Sequence, residues 1–272
     1  MNSGSEYIPN THRLVFALQS LLRQLLANGI ETPRPCRTAC LLMLGGMSSN
    51  SVPAELTQRI MSEQREDGGW VGPDDTLWAA LFMRLLKHKD EHVYHRAIEF
   101  LRCTRADGYG WGRSERDIAR IPITGRILHF IPELCTGQYV DGLIRLWNSE
   151  RNSLTYKASF TLAALHTAKI ELDHLPIVKE TIDWLISQQN DDGGFSPWKG
   201  HPVGSDIYCT AIASIGLTLY ASEVPINTLQ KSLRWMKDSQ LNNGLWAYHQ
   251  IEDGASWGFY AIKRITSALG TT

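Results

Sequence analysis

A short turn of glycine and an aromatic residue recurs along the 272-residue chain and limits its possible folds more than any other feature. Each copy has an acid or amide, one or two glycines and then a large ring, and the copies lie at residues 67–70, 107–111, 192–195 and 243–246. Repetition every 20–50 residues or so indicates one supersecondary unit that is stacked or arranged in a ring. The repeat therefore predicts the fold and the part of it where a site would lie.

The composition excludes several classes of partner. A formal net charge of −1 gives no electrostatic basis for binding nucleic acid or an anionic membrane surface. With 43% hydrophobic and 20% charged residues, the chain has an ordinary globular composition. No stretch approaches the roughly 18 apolar residues of a membrane span, and the polar first eleven residues lack the features of a signal peptide. We expect no nucleic-acid partner, no transmembrane segment and a cytoplasmic location.

The five cysteines are odd in number, and each lies in or beside an apolar helical segment. This pattern predicts reduced thiols of an intracellular core. Cys36 and Cys40 have the spacing of neighbours on one helix, but no second ligand pair follows them, so zinc is not expected there. We predict no metal and no organic cofactor.

Hydrophobic periodicity predicts about twelve helices in six pairs and almost no strand. The first members are predicted at 12–27, 54–64, 93–104, 139–147, 175–189 and 226–239, and the second members at 36–44, 75–86, 118–130, 154–168, 206–221 and 255–269. First members carry charges on one face, whereas second members are apolar nearly all round. A one-sided stripe is typical of a surface helix and all-round apolarity of a buried one. The expected fold is all-α, a single domain over 1–272 with an outer ring of helices around an inner ring.

Each glycine-aromatic turn leads into an inner helix, so all inner helices enter from one end. Small or acidic residues that could cap these helices follow the turns: Asp74, Asp75, Asp117, Ser205, Asp206, Asp253 and Ser256. The positive dipole ends of the inner helices would then converge on one opening, which we call the mouth. Any site should lie there.

The segment 64–70, Gln-Arg-Glu-Asp-Gly-Gly-Trp, resembles the glutamine–tryptophan (QW) repeat of triterpene cyclases such as squalene–hopene cyclase. Residues 188–195 and 240–246 are similar, so the resemblance covers nearly the whole chain; it also fits the β subunit of protein prenyltransferases. It implies an (α/α)6 barrel, which agrees with the helix pairing. Because this fold hosts cyclases, transferases and non-catalytic modules, the resemblance is more specific for fold than for function.

Cyclases of this family that start by proton transfer carry an Asp-x-Asp-Asp-Thr motif at the start of an inner helix. Asp74, Asp75 and Thr76 match its last three specified positions, and Gly72 stands in place of the first acid. The resemblance implies Asp74 as proton donor and Asp75 as its tuning partner. For a zinc prenyltransferase, Asp206 and Cys209 lie in the right region, but their spacing differs by one and no His follows on the last inner helix.

Residue chemistry leaves alternatives open at each candidate position. Adjacent carboxylates in an apolar mouth can keep one proton near neutrality, or they can simply cap a helix. Asp117, Asp206 and Asp253 would add an acidic rim or act as caps. Aromatic rings on inner helices would stabilise a carbocation or pack the core; they are Trp78, Phe82, Tyr156, Phe160, Tyr208, Trp257 and Tyr260.

Basic side chains offer a second kind of chemistry. Arg113, Arg116, Arg120 and Arg126 cluster after the second turn, where they would hold a diphosphate or form ion pairs. Lys157 would point into the mouth. In the longer loops, His201 or His249 would act as a base in a final deprotonation or lie on the surface.

The function predicted is that of a small terpene-cyclase-like enzyme of the isomerase or lyase class. It would cyclise an apolar polyunsaturated or isoprenoid substrate in specialised metabolism, with Asp74 and Asp75 catalytic and with Trp78, Phe82, Tyr156, Phe160, Asp206, Tyr208, Trp257, Arg113 and Arg116 binding substrate. The alternatives are an isoprenyl-diphosphate-binding or transferring enzyme and a non-catalytic barrel that binds a ligand or partner. A homodimer or a second-barrel partner would account for the single barrel.

Overall fold

The computed structural model describes residues 9–87, 92–106, 109–170 and 176–270. In these residues the chain forms twelve α-helices and two short 3-10 turns, at Ser49–Ser51 and Pro132–Leu134. The helices are α1 (Thr11–Ala27), α2 (Pro33–Leu44), α3 (Ala54–Ser62), α4 (Pro73–Leu85), α5 (His92–Cys103), α6 (Ile121–Phe130), α7 (Gly137–Ser149), α8 (Thr155–Thr167), α9 (Pro176–Ser187), α10 (Ile207–Thr218), α11 (Ile226–Asp238) and α12 (Ile251–Ala268).

The even-numbered helices form a closed inner ring. Each packs against the next even-numbered helix along the chain, and α12 packs back against α2. The odd-numbered helices lie outside this ring, each against one or two inner helices. Every side chain of α10 except Tyr208 is buried, whereas α3 buries only Leu56 and Ile60. This difference confirms the predicted double ring, and the fold is the (α/α)6 barrel.

Three glutamines, one before each glycine-aromatic turn that the structure describes in full, join neighbouring repeats. The side-chain amide of each donates to a carbonyl of its own turn and to a carbonyl at the start of the next outer helix. The pairs of acceptors are Gly68 and Val93 for Gln64, Gly193 and Thr228 for Gln189, and Gly244 and Asn10 for Gln240. Because these amides satisfy backbone groups at both helix ends, each turn also fixes the next repeat.

The aromatic residue of the turn anchors it to both helices of a pair. The indole Nε1 of Trp70 donates to the carbonyl of Ile60 at 3.0 Å, at the end of α3. Its backbone N donates to Oγ1 of Thr76 on α4 at 3.0 Å. Trp111 and Trp246 repeat the indole bond to the preceding outer helix, and Trp111 and Phe195 repeat the backbone bond to a threonine. Thr76, matched by resemblance to the acid motif, therefore serves the turn.

The glycines of the turns are required by conformation and by space. Gly68, Gly193 and Gly244 have φ of +91°, +91° and +87°, a region that side chains rarely allow. A Cβ on Gly193 would lie 2.7 Å from the carbonyl oxygen of Lys231 on the next outer helix. The turn can therefore approach the next outer helix this closely only if the residue at this position has no side chain.

A glutamine side chain also joins the last repeat to the first and so closes the ring. Gln240, in the last repeat, accepts a hydrogen bond from the backbone N of Asn10 at 2.8 Å, and Arg13 Nη1 donates to the carbonyl of Asn242 at 3.2 Å. Asn10 is the N-cap of α1, and its side chain accepts from the backbone N of Arg13. The two ends of the repeat array are thus joined by the chemistry that joins its interior repeats.

The helices differ from the prediction at two ends that bear on the mouth. We predicted α12 to begin at Ala255, but it begins at Ile251, so Asp253 lies inside its first turn and is not a cap. We predicted α6 to begin at Ile118, but it begins at Ile121 with Arg120 as N-cap. Asp107 and Gly108 of the second turn, and Leu175, lie outside the described residues. No helix among the described residues is both long and apolar enough to cross a bilayer.

Candidate active site

The first turn of α4 presents two adjacent carboxylates at the mouth. The N-cap is Gly72, with extended backbone, and Pro73 opens the helix, where its missing N–H leaves no donor unsatisfied. Neither Asp74 nor Asp75 accepts a capping hydrogen bond from the backbone of this turn. The alternative that this pair caps the helix is therefore wrong, and both side chains are available for other contacts.

Asp74 pairs with an arginine that is almost completely buried. Oδ1 of Asp74 accepts from Nη2 of Arg126 at 2.8 Å, and the guanidinium of Arg126 lies 5.1 Å from the centre of the Phe160 ring. Arg126 is 8% exposed. The Asp74 carboxylate is therefore the counter-charge that the buried guanidinium of Arg126 needs.

Asp75 has the opposite electrostatic environment. Burial of its carboxyl group and, secondly, the negative charge of Asp74 raise its pKa from 3.8 to about 6, against the opposing effect of Arg37. Burial beside a second negative charge is a usual way in which the pKa of a carboxyl group is raised toward neutrality.

A third carboxylate reaches the mouth from α12. Oδ1 of Asp253 lies 3.0 Å from Nε of Arg37 on α2, and burial raises the pKa of Asp253. One residue earlier, Glu252 accepts from Nε of Arg34 at 2.9 Å. Ion pairs between α2 and α12 therefore lie at the junction where the inner ring closes.

Aromatic rings form the wall and floor below these charges. The indole of Trp257 lies at the centre, with ring centroids 5.9 Å from Trp78, 6.5 Å from Phe130 and 5.9 Å from Phe160. Trp78 lies one helical turn below Asp74 on α4, and Phe130 one turn below Arg126 on α6, so the ion pair stands above an aromatic pair 5.6 Å apart. These buried rings therefore pack against one another beneath the carboxylates.

Three tyrosines line the mouth on the side of α8 and α10. The ring of Tyr208 stacks on Tyr248 at 5.7 Å and meets Tyr156 edge-on at 6.2 Å. Burial raises the pKa of all three phenols. Each therefore keeps its hydroxyl proton, so the group provides donors rather than negative charge.

The structure brings most of the predicted site residues to this mouth. The predicted residues that lie around it are Asp74, Asp75, Trp78, Tyr156, Phe160, Tyr208, Trp257 and Asp253. Phe82 and Tyr260 are buried core residues lower on α4 and α12. Asp206 is the N-cap of α10 and accepts from the backbone N of Cys209 at 2.8 Å, as its capping alternative predicted.

Most of the predicted basic cluster lies elsewhere. Arg120 pairs with Asp117 at 2.6 Å; this contact lowers the pKa of Asp117, which caps no helix. Arg113 and Arg116 are exposed on the loop before α6, where Arg113 lies near Gly72 and acts electrostatically on Tyr156, and Arg126 is the buried member of the cluster at the mouth.

The remaining polar candidates have local partners or lie at the surface. Lys157 forms an ion pair with Glu150, and the ring of His201 lies 4.2 Å from that of Trp198 in a surface loop. His249 is exposed beside Tyr248. Among the described residues, no three His, Cys, Asp or Glu side chains are grouped so as to hold a metal ion.

Sequence reasoning missed Arg37 and did not separate Arg126 from the loop arginines. The signal was present in both cases, because each is an arginine within an inner helix that is otherwise largely apolar. Such a charge needs a partner in the interior. The partner carboxylates, Asp253 and Asp74, are distant in sequence.

Comparison with known proteins supports the resemblance. A lanosterol synthase from Candida albicans is 36% identical over 108 residues, which cover 36% of this chain and 14% of that protein. A squalene–hopene cyclase from Zymomonas mobilis is 33% identical over 94 residues, 31% of this chain and 14% of that protein. The matched parts thus span less than a fifth of these relatives. No family model matches the chain.

Among solved structures, a type II terpene cyclase from Scytonema, MstE, in complex with geranylgeranyl dihydroxybenzoate superposes with a TM-score of 0.70. At 13% identity, the superposition covers 86% of this chain and 87% of that one. The shared barrel and the sequence matches to cyclases support a relationship with the terpene cyclase, squalene–hopene cyclase-like superfamily.

Proposed function

We propose that the chain is a cyclase that begins its reaction by protonating an isoprenoid. The observation that carries this proposal is the different surroundings of two adjacent carboxyls: Asp74 lies in an ion pair with Arg126, and Asp75 is largely buried with its pKa raised to about 6. A largely buried carboxyl group whose pKa is raised toward neutrality is the kind of acid that alkene protonation needs. The named activities of the sequence relatives and of MstE agree with this chemistry.

Asp75 is assigned as the proton donor. The sequence resemblance gave that role to Asp74, but Asp74 is engaged in the ion pair with Arg126, whereas burial raises the pKa of Asp75 to about 6. The π electrons of the substrate double bond, or a lone pair of an epoxide oxygen, take the proton of Asp75. The resulting carboxylate is stabilised by the nearby charges of Arg37 and Arg126.

The aromatic wall supports the rest of the reaction. A cation formed at the mouth is attacked by the next double bond of the folded chain, and the charge moves to a new carbon with each ring that closes. Trp257, Trp78 and Phe160 offer π faces to that charge. Water takes a proton from the last cation, which ends the sequence, so the cyclic hydrocarbon is an isomer of the substrate.

The diphosphate alternative has less support from the geometry. Arg113 and Arg116 are exposed on a loop, and the guanidinium groups that reach the mouth already pair with carboxylates. The alternative of a non-catalytic barrel does not account for Asp75, which caps nothing and is destabilising as a buried carboxylate.

The test is incubation of the protein with squalene, 2,3-oxidosqualene and geranylgeraniol, followed by mass spectrometry of the extracted products. The wild type is expected to form cyclic isomers, and Asp75→Asn to form about 10³-fold less, within the range of general acid contributions. Asp183→Asn, which alters an exposed ion pair on α9, is the matched control and should retain full turnover.

Two results would contradict the proposal. If the folded wild type yields no cyclic product from any of the three isoprenoids, the non-catalytic alternative is favoured. If Asp75→Asn cyclises at the wild-type rate, another group supplies the proton.

A further inference from the structure

The inner helices carry two layers of large side chains, a polar layer at the mouth and an aromatic layer one helical turn below it. On four of these helices an aromatic residue follows a polar one by four positions, which places it on the same face about 6 Å further from the mouth. The pairs are Asp74 and Trp78 on α4, Arg126 and Phe130 on α6, Tyr156 and Phe160 on α8, and Asp253 and Trp257 on α12. A molecule that enters the mouth therefore meets four rings at one depth.

The side chain of Trp257 lies near the axis of the inner ring. Four rings surround it, with centroid distances of 5.9 Å for Trp78 and Phe160 and 6.5 Å for Phe130 and Tyr208. These rings belong to α4, α8, α6 and α10, so one side chain of α12 reaches four of the five other inner helices. The inner helices that pack directly against α12 are only α10 and α2. The indole therefore extends across the middle of the ring.

The aromatic layer is closed to water, whereas the polar layer above it is open. Trp257 and Trp78 are each 1% exposed, and Phe82, one turn further down α4, is fully buried. By contrast, the side chain of Asp74 is 21% exposed and Tyr208 is half-buried. A ring with almost no accessible surface adjoins neither a channel nor a void large enough for a water molecule. The opening at the mouth thus ends at the aromatic layer.

We propose that Trp257 is a specificity-determining residue, which closes the axis of the inner ring and stops the isoprenoid one helical turn below the mouth. We call this the depth limit; it leaves room for about a single isoprene unit. The inference rests on the proposed function for the isoprenoid character of the ligand. It adds that the barrel recognises the terminal unit of the chain and not its total length, because later units stay outside the inner ring. Truncation of Trp257 would extend the opening by an apolar void that a hydrocarbon can fill.

The test measures binding with probes that cannot cyclise, so its outcome does not depend on catalysis. The probes are glucosides with saturated tails of one and two isoprene units, 3-methylbutyl and 3,7-dimethyloctyl β-D-glucoside, titrated by calorimetry below the concentrations at which they form micelles. The ratio of their dissociation constants measures what the second unit contributes to binding. For the wild type we expect a ratio of about threefold or less, below the effect of one buried methylene group. For Trp257→Ala the ratio should be about tenfold larger, as two further buried methylene groups allow.

Free indole and two further variants separate the depth limit from a general loss of packing. Indole has the shape of the missing side chain, so at saturation it should fill the void of Trp257→Ala and return the ratio to the wild-type value. Trp257→Leu leaves a smaller void, in case the alanine variant does not fold, and should raise the ratio about threefold. Trp147→Ala, the same truncation of a fully buried tryptophan on the outer helix α7, should leave the ratio unaltered.

The proposal is overturned if the second unit contributes as much in the wild type as in the Trp257 variants, because the wild-type barrel would then already admit it. It is also overturned if neither probe binds, if indole does not reverse the change, or if Trp147→Ala causes the same change. Incubation with squalene separates this inference from the proposed function. If the ratio changes as expected but no isoprenoid is cyclised, the depth limit stands and the proposed function fails. If isoprenoids are cyclised and the ratio is the same in every variant, the proposed function stands and the depth limit fails.

Discussion

The same substitution at two adjacent residues should have opposite effects on stability. Asp75→Asn removes a carboxyl whose pKa is raised from 3.8 to about 6 in the folded protein. Because the folded state binds this proton more tightly than the unfolded state, the ionised group destabilises the fold above pH 6. That cost disappears as the pH falls toward 4. The shift is about two units, or about 3 kcal/mol at 1.36 kcal/mol per unit, as an upper bound.

Asp74→Asn should destabilise the protein instead. It removes the carboxylate partner of Arg126, whose side chain is 10% exposed, and leaves a buried guanidinium without a counter-charge. Loss of one member of a buried ion pair costs about 3–5 kcal/mol, and because Asp74 is itself 21% exposed we expect the lower end of that range.

Urea unfolding followed by tryptophan fluorescence at pH 8, 6 and 4 measures both effects. At pH 8, Asp75→Asn is expected to unfold at higher urea than the wild type and Asp74→Asn at lower urea, with unchanged slopes. At pH 4 the advantage of Asp75→Asn should vanish. A destabilising Asp75→Asn, or a gain that does not depend on pH, would refute the assignment of the proton to Asp75.

Three further predictions concern the barrel. Gly193→Ala should lower the free energy of unfolding by about 2 kcal/mol or more, because its Cβ would meet the carbonyl of Lys231 at a φ of +91°. Gly29→Ala, at a φ of +65° in open space, should lower it by only about 1 kcal/mol, and equal losses in thermal melts would contradict the steric argument. Gln240→Ala should lower the free energy of unfolding by about 1–3 kcal/mol, because the contact between the last repeat and Asn10 at the start of α1 is lost. Amide hydrogen exchange should then increase in α1 before the rest of the barrel, and a uniform increase would argue against a local contact. Burial lowers the pKa of His129 from 6.5 to about 4, so its stabilising contribution is complete above pH 6.5 and should be lost, by about 3 kcal/mol at most, as the pH falls toward 4. In denaturant titrations, His129→Gln should remove this part of the pH dependence of stability, and an unchanged profile would show that His129 titrates normally.

The fold was predictable because repetition and periodicity agree. The contrast between one-sided and all-round apolar helices predicted which set forms the inner ring, and the structure confirms it. The ends of α6 and α12 were predicted less well, because acidic residues near a turn suit a cap and the first helical turn equally. Asp253 lies inside the helix, where its carboxylate reaches Arg37 rather than a backbone amide.

The chemistry of the mouth was predictable only in part. The resemblance pointed to Asp74 and Asp75, but their protonation depends on which neighbours the closed ring brings close. Arg37 and Asp253 are 216 positions apart and meet because α2 packs on α12. Arg126 reaches Asp74 across the junction of α4 and α6. A local sequence pattern does not predict such contacts, because they form only when the whole barrel closes.

The central claim is that the mouth gives a proton to the carbon skeleton of an isoprenoid or to its epoxide oxygen. The most direct measurement uses squalene, which has no oxygen, in deuterium oxide, followed by mass spectrometry and deuterium NMR of the product. We expect one deuterium on carbon in the cyclised product, at the less substituted carbon of the double bond that was protonated, and almost no product from Asp75→Asn. A cyclic product without deuterium, or equal incorporation by Asp75→Asn, would contradict the account.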